Sequence, residues 1–241
     1  MKTKYNNKYI YMAKLVFVLI LFATVLFSST SHVMRDNKIQ GRLNIVNGYA
    51  SECLMHQFYT STGWIKIEGE VGRNGIDGLY YKKKNGQVTQ VLVSESKWNT
   101  SKLNQNKLIK QMSKVWILSA MDKLRKYKPL PEYNSIQRLI KNDQYRARLF
   151  KVIPEGKKGI NISIYTLKNK GLYTFDTLME RKLDTIDLKI PQNSFEKKML
   201  KVYDTCRSTA LHRYFPMLKL EDIQVLLEKN YLKKNDVREV L

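Results

Sequence analysis

Three charged side chains lie at spacings that suit metal-assisted hydrolysis. Asp77 lies in Gly75-Ile76-Asp77-Gly78 at the start of a β-type run, and Glu95-Ser96-Lys97 ends the next such run. Carboxylate oxygens are the ligands that Mg²⁺ or Mn²⁺ prefers. Such an ion polarises a phosphoryl oxygen and lowers the pKa of its water, while a lysine orients that water or stabilises charge on the phosphorus. The pattern predicts a metal site at Asp77 and Glu95 with Lys97 as a catalytic residue.

The hairpin between these runs decides whether the two carboxylates meet. We expect strands at Ile76 to Lys82 and Val88 to Ser96, joined at Asn85-Gly86. An odd-length loop centred on Gly86 sets Asp77 opposite Glu95, whereas a two-residue turn shifts the pairing by one residue and turns the side chain to the wrong face. The sequence therefore predicts the odd loop. Alternation along the strand puts Glu95 and Lys97 on one face.

Two predicted helices flank the hairpin. A helix from Asn47 to Phe58 carries Glu52, which is expected to add an outer metal ligand. A second helix, from Lys107 to Lys126, begins near Gln111, which is placed to hold the attacking water or the scissile phosphate.

Each of these residues also has a simpler interpretation. A Glu-x-Lys sequence usually reflects a solvated strand face, and Asp77 between glycines is typical of a turn. Cys53 and His56 are better explained by helix packing. The functional interpretation depends on the order of the whole set: helix with Glu, strand with Asp, hairpin, Glu-x-Lys, then helix with Gln.

This ordered set resembles the PD-(D/E)xK, restriction-endonuclease-like superfamily. It is most similar to nuclease domains at the C-termini of bacterial polymorphic and contact-dependent inhibition toxins. Those domains share a Gly-Ile-Asp-Gly strand, a Glu-Ala-Lys at the end of the next strand, and a Lys-Gln-Met-Ser-x-x-Trp helix, here Lys110 to Trp116. Ser96 stands where alanine is usual. The resemblance covers roughly residues 45 to 125.

The resemblance implies an α/β fold, a mixed sheet with helices on either side that binds one or two divalent ions. It assigns Asp77 and Glu95 to metal, Lys97 to catalysis, and Glu52 and Gln111 to support. It further implies a toxin or effector with a cognate immunity protein, although an N-terminal export signal is unlike those domains, which belong to very large secreted proteins. DNA is the first expected substrate and tRNA the second, since the superfamily includes both.

The charge of the chain agrees with a polyanionic partner. Its 241 residues hold 43 Lys and Arg against 21 Asp and Glu, a net charge of +22. Lysines bind phosphate without reading sequence, and a tryptophan can stack on a base. The expected substrate-binding residues are Lys82, Lys83, Lys84, Trp98, Lys102, Lys110 and Lys114. A solvated basic surface and a Trp98 packed at the sheet edge are the alternatives.

The N-terminus has the layout of an export signal. A basic segment, the apolar run Leu15 to Phe27 and small residues to Ser31 are typical of a signal peptide, although residues 9–27 could instead form an uncleaved membrane anchor. Cys53 and Cys206 could pair in an oxidising compartment, but their spacing does not decide this. With two cysteines and three histidines, zinc ribbons and fingers are excluded.

These expectations divide the chain into residues 1–31 (signal peptide or anchor), 32–46 (linker), 47–170 (nuclease core) and 171–241 (a mainly helical extension). The further predicted elements are strands at Trp64 to Glu68, Arg148 to Ile153 and Ile160 to Leu167, and helices at Ser135 to Tyr145, Ser194 to Arg213 and Glu221 to Lys229. Two non-enzymatic alternatives remain open: a basic nucleic-acid-binding module, and a cell-surface protein that binds anionic lipid.

Overall fold

A computed structural model describes residues 40–67, 75–104, 108–127, 129–155, 159–169, 175–187 and 193–214. The chain divides into two compact units, Met1–Ile45 and Val46–Leu241. In the first unit the described residues, 40–45, are helical, so the predicted linker is wrong for these residues. The predicted signal or anchor and the helix at Glu221 to Lys229 lie outside the described residues. Within the described part, no helix is long and apolar enough to cross a membrane.

The described residues form four helices and six strands, which confirms the α/β class. Helix α1 covers 40–61. The other helices are α2 (Lys114–Tyr127), α3 (Tyr133–Lys141) and α4 (Ser194–Tyr214). The strands are β1 (Ile65–Lys66), β2 (Gly78–Lys84), β3 (Gln87–Trp98), β4 (Arg146–Glu155), β5 (Gly159–Asn169) and β6 (Phe175–Asp187).

The six strands form one mixed sheet in chain order, β1 to β6. Neighbours are antiparallel except β3 and β4, which run parallel because the chain between them crosses over through α2 and α3. The 13-residue strand β6 is an element that the sequence does not predict in the C-terminal extension, where the structure also describes the 21-residue helix α4. The sequence of β6 is rich in charged residues and lacks clean alternation, so it is the pairing with β5 that decides its conformation.

The sheet buries both of its faces. Alternate residues of β2 and β3 enter different clusters, with Leu79 and Val93 on the face covered by α2 and α3. Tyr80 and Leu92 enter the other cluster with residues of α1 and α4. A helix layer on each side leaves the ends of the strands as the places where polar side chains can meet.

The β2–β3 hairpin reaches the expected register by a route that the sequence analysis missed. Asn85 and Gly86 have φ values of 52° and 75°, and Lys84 pairs with Gln87, so the loop is a two-residue turn and the predicted odd loop is wrong. The pairing then shifts between Lys82 and Lys83, where Thr89 is an extra residue on β3. This β-bulge restores the register in which Gly78 pairs with Ser94, and one residue further Asp77 lies opposite Glu95.

A disulfide joins Cys53 on α1 to Cys206 on α4, at a sequence separation of 153. Both cysteines belong to the cluster between the sheet and these two helices. The bond therefore closes a long loop around most of the sheet, and such long closures restrict the unfolded chain strongly.

We expect reduction of this disulfide to lower the free energy of unfolding by about 2–5 kcal/mol, because the unfolded chain regains the freedom that the closed loop removes. Urea unfolding with and without dithiothreitol measures the difference. The Cys53→Ser/Cys206→Ser variant is the control and should be insensitive to dithiothreitol. Equal stability of the oxidised and reduced wild-type chains would contradict the prediction.

Candidate functional site

The open end of the β2–β3 hairpin brings two carboxylates together. Asp77 directly precedes β2, and its Oδ2 accepts a hydrogen bond from the backbone N–H of Ser96 at 2.8 Å. Glu95, on β3, is 2% exposed although it is an acidic residue. The backbone of β3 thus holds the Asp77 carboxylate beside Ser96, the residue that follows Glu95.

Two side chains donate to the same oxygen of Glu95. Lys97 Nζ lies 2.8 Å from Glu95 Oε1, and Gln111 Nε2 donates a hydrogen bond to that atom as well. Among the described residues, Glu95 Oε2 is buried without a hydrogen-bond partner. Asp77, Glu95, Lys97 and Gln111 therefore form one connected group with an acceptor atom left over.

Gln111 reaches this group from a turn that precedes α2, so its predicted place at the start of a helix is wrong. The helix is delayed because Met112 adopts a left-handed backbone conformation, φ 70°, with its side chain fully buried. Ser113 then caps α2: its Oγ accepts from the N–H of Trp116 at 3.4 Å. Backbone and side chain of Gln111 also bond Asn104, at 3.1 and 3.0 Å, which fixes the direction of the amide.

Burial and like charge make both carboxyl groups hard to ionise. The pKa of Asp77 is raised to about 6, mainly by burial and then by the charge of Glu52, against the opposing effect of Lys97. The pKa of Glu95 is raised well above its usual value, first by burial and then by the charge of Asp77. A nearby positive charge would relieve both groups.

The residues present fit a divalent cation. The donor atoms are carboxylate oxygens, which are hard ligands, and Glu95 Oε2 is a buried acceptor without a partner. Within the described residues no three His, Cys, Asp or Glu side chains converge on one point. Mg²⁺ commonly takes one or two carboxylates and keeps several waters, so a pair of carboxylates is sufficient.

Helix α1 adds a series of polar contacts through His56, a residue that the sequence alone assigns to helix packing. His56 Nε2 lies 3.5 Å from Glu52 Oε1, and His56 Nδ1 lies 2.5 Å from the hydroxyl of Tyr80 on β2. The four-residue spacing of Glu52 and His56 places them on one helix face. The Tyr80 contact joins segments 24 residues apart, and local spacing gives no indication of it.

The hairpin-tip lysines lie far from the carboxylates. Lys84 is seven positions along the strand from Asp77, roughly 23 Å at about 3.3 Å per residue. Lys82 Nζ donates to the backbone oxygen of Thr62 and lies 4.9 Å from the centre of the Trp64 ring. Lys83 pairs with Glu132 at 2.5 Å, and Lys84 is exposed. Only a long substrate could therefore contact these lysines and the carboxylates at the same time.

Four further residues were expected to contact substrate. Lys102 is exposed and Lys110, next to Gln111, is half-buried. Lys114 is buried, with its Nζ 2.5 Å from Asp143 Oδ2, so it joins α2 to the end of α3 instead of facing solvent. The Trp98 ring lies parallel to Tyr203 of α4, with centroids 6.3 Å apart, which favours the packing interpretation.

No protein-family model, curated protein or solved structure matches this chain. What it does is therefore inferred from its own residues and from the resemblance of its motifs.

The raised pKa of Asp77 predicts a pH-dependent stability without metal. Because the folded-state pKa, about 6, exceeds the ordinary value of 3.8, the folded chain holds a proton that the unfolded chain releases. Below about pH 4 the Asp77 carboxyl group is protonated in both states and does not lower the free energy of unfolding. As the pH rises through 6, the buried group must ionise, and the free energy of unfolding falls. In EDTA, we expect Asp77→Asn to unfold with wild-type free energy near pH 4 and to exceed it by about 2–3 kcal/mol at pH 7.5.

Urea unfolding of both chains from pH 4 to 7.5 measures this difference. Asp122→Asn, at an exposed carboxylate on α2, is the matched control and should follow wild type at every pH. A constant difference between wild type and Asp77→Asn across the range would contradict the assignment.

Proposed function

We propose that this protein is a divalent-metal-dependent endonuclease of the PD-(D/E)xK superfamily, which hydrolyses phosphodiester bonds of DNA or, as the second choice, tRNA. The observation that carries the proposal is the convergence of Asp77, Glu95, Lys97 and Gln111 at one end of a hairpin. The mixed sheet with helices on both faces is the arrangement that the resemblance implies.

Asp77 and Glu95 would hold Mg²⁺ or Mn²⁺. When bound, the ion supplies positive charge against the phosphate and acidifies water. Glu95 can present Oε2 to a cation because Lys97 and Gln111 already occupy Oε1. The Ser96 N–H keeps Oδ2 of Asp77 in place at the same time.

Lys97 supplies the positive charge of the site. Its Nζ, 2.8 Å from Glu95, lies on the same strand face, so it could hold a water toward the phosphorus and stabilise the negative charge that develops there. The water oxygen would form a bond to phosphorus and release a proton to solvent, while the bond to the leaving sugar oxygen breaks and that oxygen takes up a proton from a second water. Gln111, held by Asn104, keeps Glu95 in position during this exchange.

The predicted export signal, together with the disulfide, supports the proposed role as a toxin or effector. The predicted signal precedes a chain whose two cysteines form a disulfide, and such bonds persist in oxidising compartments. A cell that makes an active nuclease needs protection from it, so a cognate immunity protein is the proposed partner.

The test is cleavage by the full-length chain of plasmid DNA and of total tRNA, with Mg²⁺ or with EDTA. We expect cleavage of at least one substrate that EDTA abolishes. Asp77→Asn and Lys97→Ala should each lower the rate by at least about 100-fold, because they remove a metal ligand and the charge that stabilises the transition state.

Matched controls are Asp122→Asn and Lys123→Ala, which change the same residue types at exposed positions of α2 and should cleave at wild-type rates. Cleavage that persists in EDTA or in Asp77→Asn would refute the mechanism. Absence of cleavage with salt-sensitive binding would make this a nucleic-acid-binding module, and binding only to anionic vesicles would make it a lipid-binding protein.

The distance of the hairpin tip predicts a separation of binding from catalysis. We expect Lys83→Ala/Lys84→Ala to weaken binding to a 30-base-pair duplex and to reduce the salt dependence of the affinity by about one to two charges, with kcat unchanged. This loss of affinity should be absent for a substrate too short to reach from the carboxylates to the hairpin tip, about 23 Å away. A large fall in kcat would show that these lysines act at the scissile phosphate.

A further inference from the structure

Tyr80 is a fully buried residue whose position imposes a cost on the strand that carries it. Its ring lies over Gly78, two residues earlier on the same face. A Cβ added at Gly78 would lie 2.6 Å from the Tyr80 hydroxyl oxygen, closer than side chains tolerate. A glycine weakens a strand, but a side chain at position 78 would occupy the space that the Tyr80 ring fills.

The ring is directed toward a polar partner. Its hydroxyl lies 2.5 Å from His56 Nδ1, and His56 Nε2 lies 3.5 Å from Glu52 Oε1. When the hydroxyl donates to Nδ1, the imidazole carries its hydrogen on Nε2, the nitrogen that faces the carboxylate. Phenylalanine would fill the same apolar space, so packing alone does not account for the hydroxyl.

The Tyr80 hydroxyl lies beside Gly78, the residue next to Asp77, so the series of contacts from Glu52 through His56 to Tyr80 ends close to the Asp77 backbone. Cys53, the residue after Glu52, is tied to α4 by the disulfide, which anchors the backbone of α1 at this point. The helix fixes the position of the Glu52 backbone, and the contact with His56 limits the directions that the Glu52 carboxylate can take.

We infer that Tyr80 and His56 are positioning residues that hold Glu52 toward the Asp77–Glu95 pair, where it serves as an outer ligand of the bound cation. The inference rests on the proposed metal site and adds a carboxylate that would act from outside the Asp77–Glu95 pair, since no three such side chains converge on one point among the described residues. Residues that orient ligands in this way typically change metal affinity by about 10–100-fold when they are removed.

The test is Mn²⁺ binding by the full-length chain, measured by calorimetry and by the Mn²⁺-induced shift in melting temperature. We expect Tyr80→Phe to weaken binding about 10-fold, because the ring remains while the hydroxyl that orients His56 is lost. Glu52→Gln should weaken binding by a similar factor. Tyr80→Phe added to Glu52→Gln should have no further effect, because both changes act through one carboxylate.

Tyr59→Phe is the matched control. Tyr59 is buried in the same cluster, and its hydroxyl accepts a hydrogen bond from Ser94 at 3.3 Å. This variant loses a buried hydroxyl without a change at His56, so its Mn²⁺ affinity should stay within about 2-fold of wild type. His56→Gln, which keeps an N–H that can reach Glu52, should retain more affinity than His56→Leu.

Several results would overturn the inference: a wild-type chain that binds no Mn²⁺, a Tyr80→Phe variant with wild-type affinity, equal losses in Tyr80→Phe and Tyr59→Phe, or losses in Tyr80→Phe and Glu52→Gln that multiply. Its failure is separable from failure of the nuclease proposal. Coupled Mn²⁺ binding without cleavage supports the inference and rejects the nuclease, whereas metal-dependent cleavage with Tyr80→Phe at wild-type affinity rejects the inference alone.

Discussion

The burial of Glu95 beside Asp77 is the constraint on which the site depends. A carboxylate removed from water is costly unless charge or hydrogen bonds compensate it, and here a second carboxylate raises that cost. Lys97 and Gln111 compensate one oxygen of Glu95 and leave the other without a partner. The carboxylate pair therefore lowers the stability of the folded chain, and a bound cation would restore it. The apolar clusters on both faces of the sheet offset this loss.

The arrangement depends on the β2–β3 register, since a shift of one residue would turn Glu95 to the other face. A two-residue turn alone would give the wrong pairing, and the bulge at Thr89 corrects it five pairs before the carboxylates. Turn and bulge thus act together. The parallel pairing of β3 with β4 then fixes the strand from its other side, with Glu95 beside Leu149.

The sequence predicts which side chains converge at the end of the hairpin better than it predicts the elements that hold them. Residue types and alternation predict that Asp77 lies opposite Glu95, but they do so with the wrong loop, because a bulge leaves no local signal. Gln111 was expected on a helix because its neighbours are periodic, and the left-handed conformation of Met112 overrides that pattern. Strand β6 depends on its pairing with β5, which local propensity does not contain.

Charge acts at two scales in this protein, and the two have opposite sign. The whole chain carries +22 and attracts polyanions from a distance, while the site itself holds two adjacent carboxylates that repel a phosphate. In the proposed nuclease, a phosphodiester would approach Asp77 and Glu95 with a cation between them. Global charge would then govern association and its salt dependence, and the local pair would govern metal dependence. Because the hairpin-tip lysines and the carboxylates lie at opposite ends of β2, different residues would carry these two properties.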